Sequence, residues 1–522
     1  VSDYALGDYI VDEVLEGVGK MSNDNTGIPP ANMLSMSAIG KSKKVTLKFT
    51  PPNNTVVDSQ LLCTVSKLMI RRKAGSIPTG IDDGDLVLEL AGEDMKKYEN
   101  KYYEDDGLEN GTEYFYRFFA QSDHGVYNLN EENVVSATPK EYTLLGFKIK
   151  KSESDPAARV EYTEGAVGLT PAAVNLTTGA FNYGSFGDFW FVTENKPVMV
   201  KYDGTEDYEL NPNDYTKKKD GTASDVSNTS YGGNCMSKIP LVWLKMWSDT
   251  NYLYCNICDI QLDDSYHAYA HQREDGSIMD YIYLSAFEGS LNSSKVRSIK
   301  GLTPMNSQAG SNELTYAKAN GSLWSTRSWS QRNLINMLLI LMAKTTNTQT
   351  AYGYGYYTGG SSSSPNYLAT GEASDKGQFY GTNATRNYVK VFHIENWWGD
   401  VLERIEGCVT NSSSQLLIKS TKPYNTSGSG YSNKGACSGT SGGYISSCDM
   451  DDDGLIPRVT SGSETTYFPD GLWFAANCYA LVGGYSYDGF HDGAFALNVY
   501  RAISNSGWYI GAALSCEQPI AA

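Results

Sequence analysis

"GAFALNVYRAISNSGWYIGAALSC", residues 493–516, interleaves two kinds of residue. Gly, Ala, Ser and Leu are what closely approaching backbones and a tight core require, whereas Tyr500, Arg501, Asn505 and Tyr509 are what an adaptable contact surface uses. Whatever fold this chain adopts must let one short segment serve as scaffold and surface together.

The rest of the sequence narrows the choice. With 522 residues, the chain exceeds one ordinary core and implies several domains. Its 40% hydrophobic and 20% charged residues are those of a folded protein. The longest apolar run, "LINMLLILMA" at 334–343, falls short of the ~20 residues of a membrane span, so no membrane insertion is expected. Residue 1 is Val, with no basic stretch ahead of an apolar run, and gives no address. A net charge of −18 argues against nucleic acid as a partner. Nine Cys, an odd number, do not imply a disulfide framework. The unusual count is 38 Tyr against 16 Phe, because Tyr joins a rigid contact face to a hydroxyl at low entropic cost.

Residues 1–40, acidic and then polar, read as an N-terminal arm or connector with a short helix at 9–17. From 41 to 140 the pattern is that of strands: "KVTLKFTPP" puts Val45, Leu47 and Phe49 on one face, and "TEYFYRFFA" is an aromatic strand of period two. Leu108, Thr112 and Tyr114 in "GLENGTEY" have the spacing in which a Tyr hydroxyl at a strand start ties back to upstream backbone. These residues resemble a fibronectin type III domain, a spacer module, and Arg71, Arg72 and Lys73 read as its solvated face.

Residues 141–522 are rich in Gly, Asn and short segments. One helix stands out near 329–344, with Ser328 or Ser330 as N-cap and Leu334, Ile335, Leu338, Leu341 and Met342 as its apolar stripe. The loops at 353–367 and 425–447 are too polar to form core. The succession "NPNDYTKKKDGTASDV", "GNCMSKIPLVWLKM", "AHQREDGSIMDYIYLSAFEG", the helix, "IENWWGD" and "GWYIGAALSC" resembles the large C-type lectin fold of phage tail-fibre tips and of the variable proteins of diversity-generating retroelements. The resemblance implies a mixed fold class, an all-β Ig-like sandwich followed by a large loop-rich α+β C-type lectin fold domain.

In that family a mutagenic reverse transcriptase rewrites adenines of a template, so diversified Asn codons cannot become Trp, Met, Lys, Gln or Glu. From Phe474 to Ser515 there is no Met, Lys, Gln or Glu, and the sole Trp is Trp508. Gly483, Gly484, Gly489, Gly493, Ala494, Phe495, Leu497, Trp508, Gly511, Ala512 and Leu514 are then the expected frame. The ligand-binding candidates, within a diversified surface of about 470–516, are Phe474, Asn477, Tyr479, Tyr485, Ser486, Tyr487, Asp488, Phe490, His491, Asp492, Asn498, Tyr500, Arg501, Asn505 and Tyr509.

No catalytic motif emerges. His267 and His271 lack the Glu of a zinc protease, and Cys255 and Cys258 have no second pair at zinc spacing. Asp449, Asp451 and Asp453 form the first half of a calcium loop, with Thr460 where the closing Glu belongs. Calcium at these residues is the one cofactor considered. The resulting expectation is a non-enzymatic receptor-binding protein of a phage tail fibre, in the virion. Its expected partners are a host-cell surface protein or glycan, other tail proteins and two further copies of itself in a homotrimer. The alternatives are a tail-associated carbohydrate-degrading enzyme and a bacterial cell-surface adhesin from a cellular retroelement.

Overall fold

The computed structural model describes residues 28–57, 59–98 and 101–520. The helix expected at 9–17 lies outside them. The chain divides into two compact units, Val1–Tyr142 and Thr143–Ala522.

In the first unit the strands Ser35–Lys41, Lys44–Thr50 and Tyr103–Asp106 form one sheet, and Asp85–Ala91, Val65–Ala74, Tyr114–Ser122 and Val134–Ala137 form another. Residues 35–40, read from sequence as connector, thus pair along their length with 45–50. Val45, Leu47 and Phe49 of the first sheet share a core with Leu68, Ile70, Tyr116 and Phe118 of the second, as alternation requires. The Tyr114 hydroxyl accepts a hydrogen bond from the Glu109 N–H at 3.1 Å, the tie-back its spacing predicted. Arg72 reaches Asp85 and Asp105, and Lys73 reaches Asp83, so this face is laced with ion pairs.

Three sheets organise the second unit. Four strands run in the order 160–164, 144–150, 252–258, 243–248. Seven follow the order 214–218, 206–211, 196–201, 233–240, 281–285, 514–517, 324–326. The largest, ten-stranded and nearly closed into a barrel, is centred on Leu402–Thr410, Tyr479–Val482, Leu497–Val499, Phe468–Phe474 and Gly443–Asp451. Ile510–Gly511 joins it beside Leu402–Thr410. The terminal segment therefore threads two sheets. It contributes 479–482, 497–499 and 510–511 to the barrel-like sheet and 514–517 to the seven-stranded one.

The helix Trp329–Ala343 starts at Ser328, whose side chain forms a capping box with Gln331, and stops at Lys344 in a left-handed conformation. Its residues from Trp329 to Met342 are all buried, within a core that also includes Trp397, Trp398, Phe468 and Phe495.

The expected fold class is corrected by these observations. The chain is mostly β, with 39% strand and 9% helix, and its larger unit is built on a barrel-like ten-stranded sheet. It is neither an Ig-like sandwich nor an α+β C-type lectin fold. In "LERIEGCVT", 402–410, every residue is buried, so the alternation that announces a half-exposed strand is missing.

Candidate functional site

The terminal segment is anchored from beneath through its main chain. The Ala494 carbonyl accepts hydrogen bonds from Asn336 Nδ2 at 2.7 Å and from the Arg332 guanidinium, while the Ala494 N–H donates to Thr348 Oγ1. Arg332 also donates to the Trp397 carbonyl at 2.6 Å and lies over that indole. Asp470 accepts from the Phe495 N–H at 2.7 Å, and burial pushes its carboxyl up to about 8. Sequence reading missed Arg332, Asn336 and Asp470. The signal was there for the first two, as polar residues spaced i, i+4 on a helix with no solvent face.

Two glycines permit this anchorage. At Gly493, with φ +151°, a Cβ would stand 2.2 Å from Asp470 Oδ1, and at Gly484, with φ +77°, 1.9 Å from Asp492 Oδ1. No other residue fits there without moving a buried carboxylate.

Of the fifteen candidates, Asn477, Tyr487, Phe490, Tyr500 and Asn505 are exposed. Phe474, Tyr485, Asp488, His491, Arg501 and Tyr509 are half-buried. Tyr479, Ser486, Asp492 and Asn498, expected to point outward, are buried. Tyr479 packs with Val409 and Tyr431, and Asn498 turns its amide oxygen to the Tyr500 N–H. Asp492 is pressed against Gly484. Trp508, expected in the core, is only half-buried and meets Tyr485 and Tyr509 edge-on at 5.5 and 5.6 Å.

Three aromatic groups build the outer layer. Tyr485, Trp508 and Tyr509 cluster together, and the Arg501 guanidinium lies over the Tyr500 and Tyr509 rings. Phe490 stacks on Tyr357 at 5.0 Å and meets Tyr354 edge-on at 5.8 Å. His491 stacks on Tyr444 at 4.0 Å, and burial lowers its pKa, which favours the neutral ring. Burial also raises the Asp488 carboxyl to about 8.

The polar loops are part of the same construction. Gly360 N–H donates to the Ser486 carbonyl, Gly489 N–H to the Tyr357 carbonyl, and the Tyr367 hydroxyl to the Trp508 carbonyl. Phe474 N–H donates to Ser441 Oγ. Loops 353–367 and 425–447 thus flank the terminal segment. Beside Phe490 a cleft of about 190 Å³ is lined by Tyr354, Gln349, Thr350 and Glu464, among others. The Gln349 Nε2 amide is buried there without a hydrogen-bond partner.

The other candidates disperse. Asp449 pairs with Arg458 across a β-hairpin, and Asp451 and Asp453 at its turn pair with Lys434 from strand Ser432–Ala436. His271 is fully buried, its pKa lowered to about 4, while His267 stacks on Tyr269. Cys255 and Cys258 lie on one strand, and the nine cysteines are buried and free. Among the described residues no helix is long and apolar enough to cross a membrane.

No family model matches the chain, and no curated protein does. Among solved structures, one titled Major Tropism Determinant M1 Variant matches at 11% identity and a TM-score of 0.27, over 63% of this chain and 73% of that one.

Proposed function

We propose that this chain is a receptor-binding protein that recognises a protein or glycan on a host-cell surface without turning it over. One observation carries the reading. A single segment, 474–509, is fixed through its backbone while Asn477, Tyr487, Phe490, Tyr500 and Asn505 project from it, beside half-buried Tyr485, Arg501 and Tyr509. That is the residue chemistry of a paratope, with rigid aromatic anchors, adaptable amides and one Arg on loops held by a scaffold. The cleft beside Phe490 offers a recess for one protruding group of the ligand. The absence of Lys, Met, Gln and Glu from Phe474 to Ser515 supports the further proposal that these positions are diversified by a retroelement. A phage tail-fibre tip is the setting we propose, with a homotrimer multiplying a modest single-site affinity.

The test replaces Tyr487, Phe490 and Tyr500 together by Ser. These side chains are 66%, 37% and 48% exposed. Cell-binding assays should show binding abolished, while the melting temperature falls by no more than a few degrees, since exposed substitutions move stability by only ~0.5 kcal/mol each. Undiminished binding by the triple variant would place recognition elsewhere. Light scattering on the same protein reads the trimer, and a monomer mass at micromolar concentration would remove that part of the proposal.

A further inference from the structure

Beneath the recognition layer lies a group of oxygens with too little positive charge around it. Glu288, Asn396 and Asp400 are 8%, 7% and 0% exposed. The Asn396 Nδ2 amide donates to Glu288 Oε2 at 2.7 Å, and the Leu368 N–H donates to Asp400 Oδ2 at 3.1 Å. The two carboxyl groups are themselves within hydrogen-bonding reach of each other. One oxygen on each of the three side chains, Glu288 Oε1, Asn396 Oδ1 and Asp400 Oδ1, has no partner.

Such an arrangement is costly unless something positive is shared. One proton shared between the two carboxyl groups is the minimal remedy. A proton satisfies two of the three oxygens. It leaves the Asn396 amide oxygen stranded while the Nδ2 of the same amide is committed to Glu288 Oε2 at 2.7 Å. Side-chain cations do not fill the gap. Arg386, whose charge acts on Asp400, lies over the Tyr356 ring and donates to the Tyr367 carbonyl instead.

We propose that Glu288, Asn396 and Asp400 hold a hard divalent cation of the calcium class, which ties the recognition loops to the core. Calcium takes carboxylate and amide oxygens together and completes its shell with carbonyls or water. Only two of these ligands are acidic, which is compatible with the described residues holding no group of three His, Cys, Asp or Glu side chains fit for a metal. The position explains the consequence. The Asp400 N–H donates to the Tyr356 carbonyl, its side chain accepts from Leu368, and its carbonyl accepts from the Ser486 N–H. A cation at Asp400 would therefore clamp loop 353–368 and the 483–488 turn at once. Asn396 and Asp400 both hold left-handed backbone, with φ of 49° and 62°.

The full chain, purified without chelator, should carry calcium by elemental mass spectrometry. After unfolding and refolding, its melting temperature in millimolar CaCl2 should exceed that in EDTA by roughly 3 to 5 °C, the linkage expected when ligand is far above its Kd. Glu288→Gln and Asp400→Asn should abolish that calcium-dependent rise. Both should melt in EDTA at or above the wild type in EDTA, because each removes one uncompensated buried charge. Equal melting of the wild type in CaCl2 and EDTA, with no metal bound, would overturn the site even if neither variant folds. The readout needs no host ligand, so it stands or falls separately from the recognition proposal.

Discussion

Residues 494–499 and 485–491 lie within one short stretch of chain, yet they are held in opposite ways. In the first, polar anchors grip the backbone from below, and the side chains of Ala494, Phe495, Leu497 and Val499 are at most 5% exposed. In the second, Gly360 and Tyr357 bond to the backbone at Ser486 and Gly489, while Tyr487 and Phe490 project outward. The contrast shows how backbone bonds can fix a segment while side chains such as Tyr487 stay exposed. Backbone anchors are indifferent to side-chain identity, so a surface built on them tolerates change, whereas the packed strand does not.

Truncating the packed part should break the comparison most severely. Phe495 meets Phe468 edge-on at 5.3 Å inside the main core. Phe495→Ala should cost about 3 to 5 kcal/mol in chemical denaturation. Trp508→Ala, at a half-buried position among tyrosines, should cost only about 1 to 2 kcal/mol. Equal losses would mean that the aromatic cluster of Tyr485, Trp508 and Tyr509 is core rather than surface.

Trp508 also shows where sequence reading reaches its limit. Its place among small residues reads as core, and only the path of the chain, which brings 485 and 509 together, turns it toward the outside. The central helix was legible to its N-cap, because a capping Ser before an apolar run is a local signal. So was the Tyr114 tie-back, again a matter of spacing. The barrel-like sheet was not, since its pairings join distant segments such as 402–410 with 479–482, and its central strands lack alternation. Of the fifteen surface candidates, five are exposed and six half-buried. The four that are buried, Tyr479, Ser486, Asp492 and Asn498, are polar side chains whose burial depends on long-range partners or on glycines that make room. Composition cannot reveal either.

A pH experiment sharpens the anchored side of the comparison. Asp470, raised to about 8 from an ordinary 3.8, holds a proton in the folded state that the unfolded chain releases above about pH 4. Its contribution to stability should therefore fall as pH rises from about 4 toward 8 and level off above, with a slope of up to ~1.4 kcal/mol per pH unit for one proton. Asp470→Asn keeps an oxygen for the Phe495 N–H and removes the titration. The difference in unfolding free energy between wild type and this variant should shift in favour of the variant between pH 5 and 7.5. A constant difference would mean that Asp470 is ionised throughout and compensated by Arg332.

The smallest effect is expected at Asn505, where the two modes of attachment meet in one residue. Its backbone carbonyl accepts from Arg404 Nη2 at 3.0 Å, and Arg404, 2% exposed, is paired through Nε with the fully buried Glu313 at 2.5 Å. The loop is thus tethered to a buried ion pair by a bond that any amino acid can make. The Asn505 side chain itself is exposed and belongs to the recognition face proposed above. Asn505→Ser should change unfolding free energy by less than ~0.5 kcal/mol. Binding to the native target should weaken if the ligand reaches this edge and stay level if it sits nearer Phe490. Arg404→Ala would instead strand Glu313 and release the loop. A loss of stability in Asn505→Ser approaching that of Arg404→Ala would show that the amide side chain, and not the backbone carbonyl, holds the loop in place.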